Sequence, residues 1–272
     1  DGGTGNGTSQ NSIYSSTSRG PTADGRRKPT YCAPGSAVYS ANGAGTTTYI
    51  SLSGTSMASP AATGAMVLMR QYLTDGWYPT GAAVPANGFP PSAALLKAMA
   101  INSAADSMVS NLAPNNNIGW GRVTVDSVLF FAGDSRQLVL LDHTQGLGQG
   151  DYVEYQVRVT TSLIPLKVSL CWTDYPGNPA VTRQLVNDLD LTVSDGVNTF
   201  KGNVFTGRRS ITAGSRDSLN VEEGVRVPMP GAGLWTVRVA AKAVPIGPQP
   251  FALVVTGGLG AGAGTLAMDR TQ

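Results

Sequence analysis

Charge is scarce in this chain, and its scarcity excludes several roles at once. Charged side chains make up 13% of the 272 residues, against about a quarter in ordinary soluble domains. The formal net charge is +2. Arg26-Arg27-Lys28 is the only dense basic run, so the electrostatic footprint of a nucleic-acid binder is missing. No stretch reaches the roughly eighteen consecutive apolar residues that a membrane helix needs. Cysteine is limited to Cys32 and Cys171, too few for a disulfide scaffold. Both lie in apolar surroundings; pairing with each other, pairing with an upstream region and buried free thiols all stay open, with buried thiols favoured over a mutual disulfide. Histidine is rarest of all, with His143 standing alone.

Glycine is plentiful, at 34 residues, and 41% of the chain is hydrophobic. This Gly-rich, weakly charged profile supplies a core and suits a β-rich or loop-rich extracellular protein rather than disorder. A secreted or extracellular location is expected on that ground. Asn6-Gly7-Thr8 has the form of a glycosylation acceptor. The chain reads as beginning mid-domain, so the lack of a leader decides nothing about export.

The most informative segment is Gly54-Thr55-Ser56-Met57-Ala58-Ser59-Pro60, a small-residue turn running into an apolar, Ala-rich stretch. Ala58, Ala61, Ala62, Ala65, Leu68 and Met69 give Met57–Leu73 a helical period. Pro60 is placed in the first turn, where its missing N–H costs little. A second helix is expected from Ser92, as its cap, to Ser103. A hydroxyl at a helix start lies beside unpaired backbone N–H groups, which can stabilise an oxyanion. By itself, a serine there is far more often a cap than a nucleophile.

The turn resembles the nucleophile segment of the subtilisin-like serine proteases, where G-T-S-M-A-[ST]-P surrounds the catalytic serine. Tyr14–Pro29, with Arg19-Gly20-Pro21-Thr22 and Asp24-Gly25-Arg26, is similar to the segment preceding it in that family, and Ala33-Pro34-Gly35 to its A-P-G turn. Thr30 and Tyr31-Cys32 depart from the family pattern. Gly119-Trp120-Gly121-Arg122-Val123 resembles the turn that closes the catalytic domain, with Trp120 a packing residue. The resemblance implies that Ser56 is the nucleophile of a serine endopeptidase acting on peptides or proteins. It also implies a triad running Asp, His, Ser along the chain. The H-G-T-H motif, the Asp segment and the oxyanion Asn segment do not occur here. His143 beside Asp142 is read as a surface strand or turn histidine. Ser59 stands where an S-x-x-K chemistry would place lysine. Met57 is a packing residue whose oxidation would hinder the serine.

From about Gly133 the texture becomes β. Leu138–Leu140, Tyr152–Val159, Leu166–Trp172, Leu189–Val193, Trp235–Val239 and Phe251–Val255 read as short alternating strands of an antiparallel sandwich. Leu185–Leu191, Asn220–Glu222 and Pro245–Phe251 resemble the jelly-roll domain that follows the catalytic domain in the oxidatively stable alkaline protease branch. The expected architecture is therefore the C-terminal part of an α/β subtilisin-like domain, a doubly wound parallel sheet, over residues 1–133. A jelly-roll sandwich over 134–257 and a flexible tail over 258–272 follow.

Such sandwiches carry calcium at acidic loops, so the resemblance marks Asp188, Asp190, Asp217, Asn220 and Glu222 as ligands of a structural calcium ion. Solvated loop acids are the plainer reading of the same residues. A companion N-terminal part of the same protease, carrying Asp and His, is the expected partner. Ala61, Ala65 and Leu68 are then exposed without it, and the sandwich from about Ser135 folds independently. The competing reading is a non-catalytic structural or interaction module on the same scaffold; a carbohydrate-binding sandwich lacks an aromatic platform.

Overall fold

The computed structural model describes residues 2–3, 12–108 and 111–260. Asn6 and residues 261–272 of the expected tail lie outside the described residues.

Eight strands make two antiparallel four-stranded sheets. A short hairpin, β1 (Val38–Ala41) and β2 (Tyr49–Leu52), precedes helix α1 (Thr55–Thr74) and helix α2 (Ala93–Ser103). The sheet strands follow: β3 (Gln137–Leu147), β4 (Tyr152–Val159), β5 (Leu166–Cys171), β6 (Asp188–Ser194), β7 (Thr199–Lys201), β8 (Glu222–Val227), β9 (Gly233–Ala243) and β10 (Gln249–Gly257). One sheet has the order β7-β6-β9-β4 and the other β8-β5-β10-β3. Their facing residues, among them Tyr155, Val157, Trp172, Leu191, Trp235 and Phe251, form one core.

Strand β4 alternates buried and less buried residues along its length, because only one face of its sheet meets the core. Strand β10 does not alternate: Phe251 to Gly257 are all buried. The reason lies on the far side of its sheet, where Leu138, Leu140, Cys171, Ala252 and Val254 pack with α2 in a second core. Helix α2 is apolar nearly all round and is buried from Ala98 to Ser103, as such a helix must be. Ser92 caps it as expected, its Oγ accepting from the Leu95 N–H at 3.1 Å. Asp142 of β3 ties down that cap, accepting from the Ser92 N–H and Oγ at 2.7 Å each.

The structure corrects several expectations. No doubly wound parallel sheet is present among the described residues. Among the described residues the one parallel link is an isolated bridge between Cys32 and Arg122, and β1 finds its hydrogen-bonding partner in β2. Helix α2 packs on the apolar outer face of β3 and β10, so the sandwich and the preceding elements share a core. Gly2–Gly3 pairs with Ser12–Ile13 as a ribbon rather than forming plain loop. The tail does not begin at 258: Leu259 is 5% exposed, bridges Val159 and fills the sandwich core. Strand β8 was not foreseen, because its Glu-Glu-Gly start lacks a strand-like pattern. Cys32 and Cys171 are buried free thiols, as expected; burial pushes the Cys171 thiol up to about 12.

Trp120 joins the two parts. It is 1% exposed, meets Phe205 edge-on at 5.8 Å, and has the guanidinium groups of Arg27 and Arg226 at 5.0 and 5.2 Å from its ring. The ring fits only because β8 has no side chain at Gly224, where a Cβ would stand 2.5 Å from a ring carbon. Overpacking of this kind costs about 1–3 kcal/mol. Gly224→Ala is expected to lower unfolding free energy by that amount in urea titration, while Gly231→Ala, with nothing near its Cβ, leaves it nearly unchanged.

Candidate active site

Ser56 sits on the first turn of α1. Gly54 caps the helix with φ 151°, in the region that favours glycine, and its N–H donates to the Gly35 carbonyl at 2.7 Å. The Gly54 carbonyl then accepts from Met57 and Ala58 at 3.0 and 3.2 Å. The backbone N–H of Ser56 and its Oγ are left without a partner among the described residues, and the side chain is exposed. The helix starts two residues before the periodic pattern does, so Pro60 falls in its second turn instead of its first. Having no N–H, Pro60 leaves the Ser56 carbonyl without its usual donor as well.

Beside this turn lies a groove of about 280 Å³ between α1 and the Thr17–Ala33 segment, lined by Thr17, Tyr31, Ala58, Ser59, Ala62 and Met66 among others. Of the twenty residues of α1, the buried ones are Ala58, Met69, Tyr72 and Leu73. Val67 and Leu68 are 56% and 54% exposed, and Ala61 and Ala65 are half-buried. The hairpin before Ser56 is equally bare, with Tyr39 and Tyr49 stacked at 5.4 Å and both exposed.

His143 does not serve Ser56. It is buried in β3 rather than on the surface, stacks on Phe251 at 4.8 Å, and accepts at Nδ1 from the Gly146 N–H at 3.1 Å. Asp142, its neighbour, is committed to the Ser92 cap. The two residues therefore form no dyad. Among the described residues, Ser56 has no base.

The five expected calcium ligands separate into three pairings. Asp188 and Asp190 share Arg216, whose Nη1 lies 2.6 and 3.4 Å from them. Burial lifts the Asp190 carboxyl above the usual range against the pull of Arg216. Asp217 accepts from the side-chain amides of Asn203 and Asn220 at 2.5 and 2.6 Å. Glu222, 1% exposed, bonds Lys97 of α2 at 2.5 Å, and its other oxygen faces Lys28 at 3.8 Å. Burial opposes the Lys97 charge, but the Glu222 carboxylate outweighs it and holds the ammonium above the ordinary lysine range. A cation among these residues would meet a guanidinium or an ammonium at two of the three places. As a set they do not fit a calcium ion, and no group of three or more His, Cys, Asp or Glu residues among the described residues could hold a metal.

With this geometry in place, the comparisons with known proteins bear on it directly. The Subtilase family matches residues 3–121, a span that includes Ser56 and its turn. That match and the curated relatives support the subtilase family for this chain. "Serine protease/ABC transporter B family protein tagD" of Dictyostelium discoideum is 31% identical over 312 residues, covering 91% of this chain and 17% of that protein. The proteins of the same description called tagB and tagA, from the same organism, are 30% and 29% identical, over 91% and 87% of this chain and 16% and 15% of their own lengths. The chain thus spans between 15% and 17% of the relatives it matches.

Two outcomes follow for the acids. Breaking a buried ion pair leaves a charge uncompensated, at about 3–5 kcal/mol, so Glu222→Gln is expected to lower unfolding free energy by about that amount in denaturant titration. Excess chelator is expected to move the melting temperature by less than about 1 °C, since only an ion bound to the folded state would stabilise it.

Proposed function

We propose that this chain is the C-terminal portion of a subtilisin-like serine endopeptidase, with Ser56 as the nucleophile that forms the acyl-enzyme. The observation that carries the reading is the exposed, unpartnered Ser56 hydroxyl on a helix-starting turn whose own N–H is also unengaged, inside the span matching the Subtilase family. In such a reaction the hydroxyl adds to the scissile carbonyl and the N–H of Ser56 donates to the resulting oxyanion. A histidine must take the hydroxyl proton and return it to the leaving amine. His143 is locked on Phe251, so we assign the base, its carboxylate and the second oxyanion donor to a companion N-terminal portion of the same protease.

The bare apolar residues of α1 and the hairpin, Val67, Leu68, Ile50 and Leu52, support that companion, because an uncovered apolar patch beside a reactive turn is typical of a contact surface. We read the two four-stranded sheets as the jelly-roll domain of the oxidatively stable alkaline protease branch. What supports this is the path of the chain, which passes from one sheet to the other at every step except β6 to β7. A secreted or extracellular location remains our proposal on the weakly charged, Gly-rich composition.

A fluorophosphonate probe tests the proposal. With the companion portion present, Ser56 is expected to label at least about 100-fold faster than in this chain alone, the scale of losing oxyanion donors, and Ser56→Ala is expected to abolish labelling. Absence of labelling in the assembled protein would instead favour a non-catalytic module on the subtilase scaffold.

A further inference from the structure

Strands β5 and β8 set Lys167 directly opposite Arg226. Like charges facing one another across a strand pair repel, and here Arg226 is buried and Lys167 half-buried. Arg226 is 5% exposed, lies against Trp120 and donates from Nη2 to the Trp120 carbonyl at 3.0 Å. Its Nη1 is buried with no partner. Lys167 reaches the carbonyls of Asn102 and Ala104 at 3.5 and 3.4 Å. Burial, and then the neighbouring Arg226, press its ammonium down to about 8.

A third cation joins them. Arg208 lies 3.9 Å from Asp106, and Asp106, Lys167, Arg208 and Arg226 line one cavity of about 220 Å³ with Pro165 and Pro228. Three cations face one carboxylate there. An unpartnered buried guanidinium nitrogen is costly to leave unmet, and a repelling pair of cations is most simply relieved by an anion between them. Guanidinium groups bind oxyanions through two parallel hydrogen bonds, the geometry of a phosphate.

We propose that this cavity binds a small oxyanion of the phosphate type, held by Lys167, Arg208 and Arg226 where the segment after α2 meets the sandwich. The ion bridges β5 and β8 and cancels their opposed charges. Asp106, the one carboxylate lining the cavity, lies 3.9 Å from Arg208 and offsets one of the three positive charges. The same chemistry serves free phosphate or a phosphoryl group carried on a side chain.

The test is titration of the intact protein with inorganic phosphate at ionic strength held constant with sodium chloride, with phosphoserine as a parallel arm. A saturable rise in melting temperature of about 2–4 °C is expected for phosphate. Arg208→Gln alters a side chain that is 56% exposed and leaves the fold standing; it is expected to weaken phosphate binding about tenfold, as loss of a charge-assisted hydrogen bond does. Lys167→Gln is expected to do the same. Equal binding of phosphoserine assigns the site to a phosphorylated side chain, and binding of phosphate alone assigns it to the free ion. A response no larger than that to chloride, or an affinity unchanged in either variant, overturns the proposal.

Discussion

The sheet β8-β5-β10-β3 is buried on both faces, and the remainder of the structure depends on that constraint. Its inner face closes the sandwich core, and its outer face seats α2. Buried backbone of this kind must satisfy its polar groups; the strand ladders do most of this, and Asn102 of α2 adds a donor to the Lys167 and Val254 carbonyls. The Asn102 amide nitrogen lies 3.3 Å from the Ser169 hydroxyl and the Val254 carbonyl, while its oxygen accepts from Thr256 at 2.7 Å. A polar network that is fully met in a dry setting fixes one arrangement. It sets α2 on the sheet in a single register, and α2 in turn shares its core with Met69, Tyr72 and Leu73 at the far end of α1.

The same constraint explains where charge is buried. Glu222 and Glu223 begin β8, a position that would be solvated in a sheet with one free face. Here Glu222 meets Lys97, and Glu223 accepts from the Leu191 N–H at 2.6 Å. Burial raises the Glu223 carboxyl well above the usual range. Arg226, further along the strand, lies against Trp120. Charges that look like a loop in sequence are thus met partly at the contact with the preceding elements, as Glu222 and Arg226 are, and partly between the two sheets, as Glu223 is.

Helix α1 is built on the opposite principle. Its C-terminal half is anchored by Met69, Tyr72 and Leu73, the Tyr72 hydroxyl donating to the Phe130 carbonyl at 2.6 Å. Its N-terminal half, which carries Ser56, buries only Ala58. Segments with few buried contacts lie at the low-stability end of a fold, and reactive groups are found there because a substrate must reach them. The position of Ser56 rests on local backbone, namely the glycine turn with its unengaged N–H, with rigidity supplied from the far end of the helix.

The residue pattern alone determined both helices, the Ser92 cap, the buried state of both cysteines and six of the strands. These are local matters of period, capping and turn chemistry, written within a few residues. The continuous apolar runs Leu138–Leu141 and Phe251–Val255 also carried, unread, the signal of a sheet covered on both sides. Tertiary structure alone decided that α2 provides that cover, that His143 is stacked on Phe251, and that Asp188, Asp190, Asp217, Asn220 and Glu222 divide among Arg216, two amides and Lys97. Lys97 and Glu222 are 125 residues apart and Arg216 and Asp188 are 28 apart. No local period encodes such pairings; they exist only once the sheets have closed and burial has made each charge find a partner.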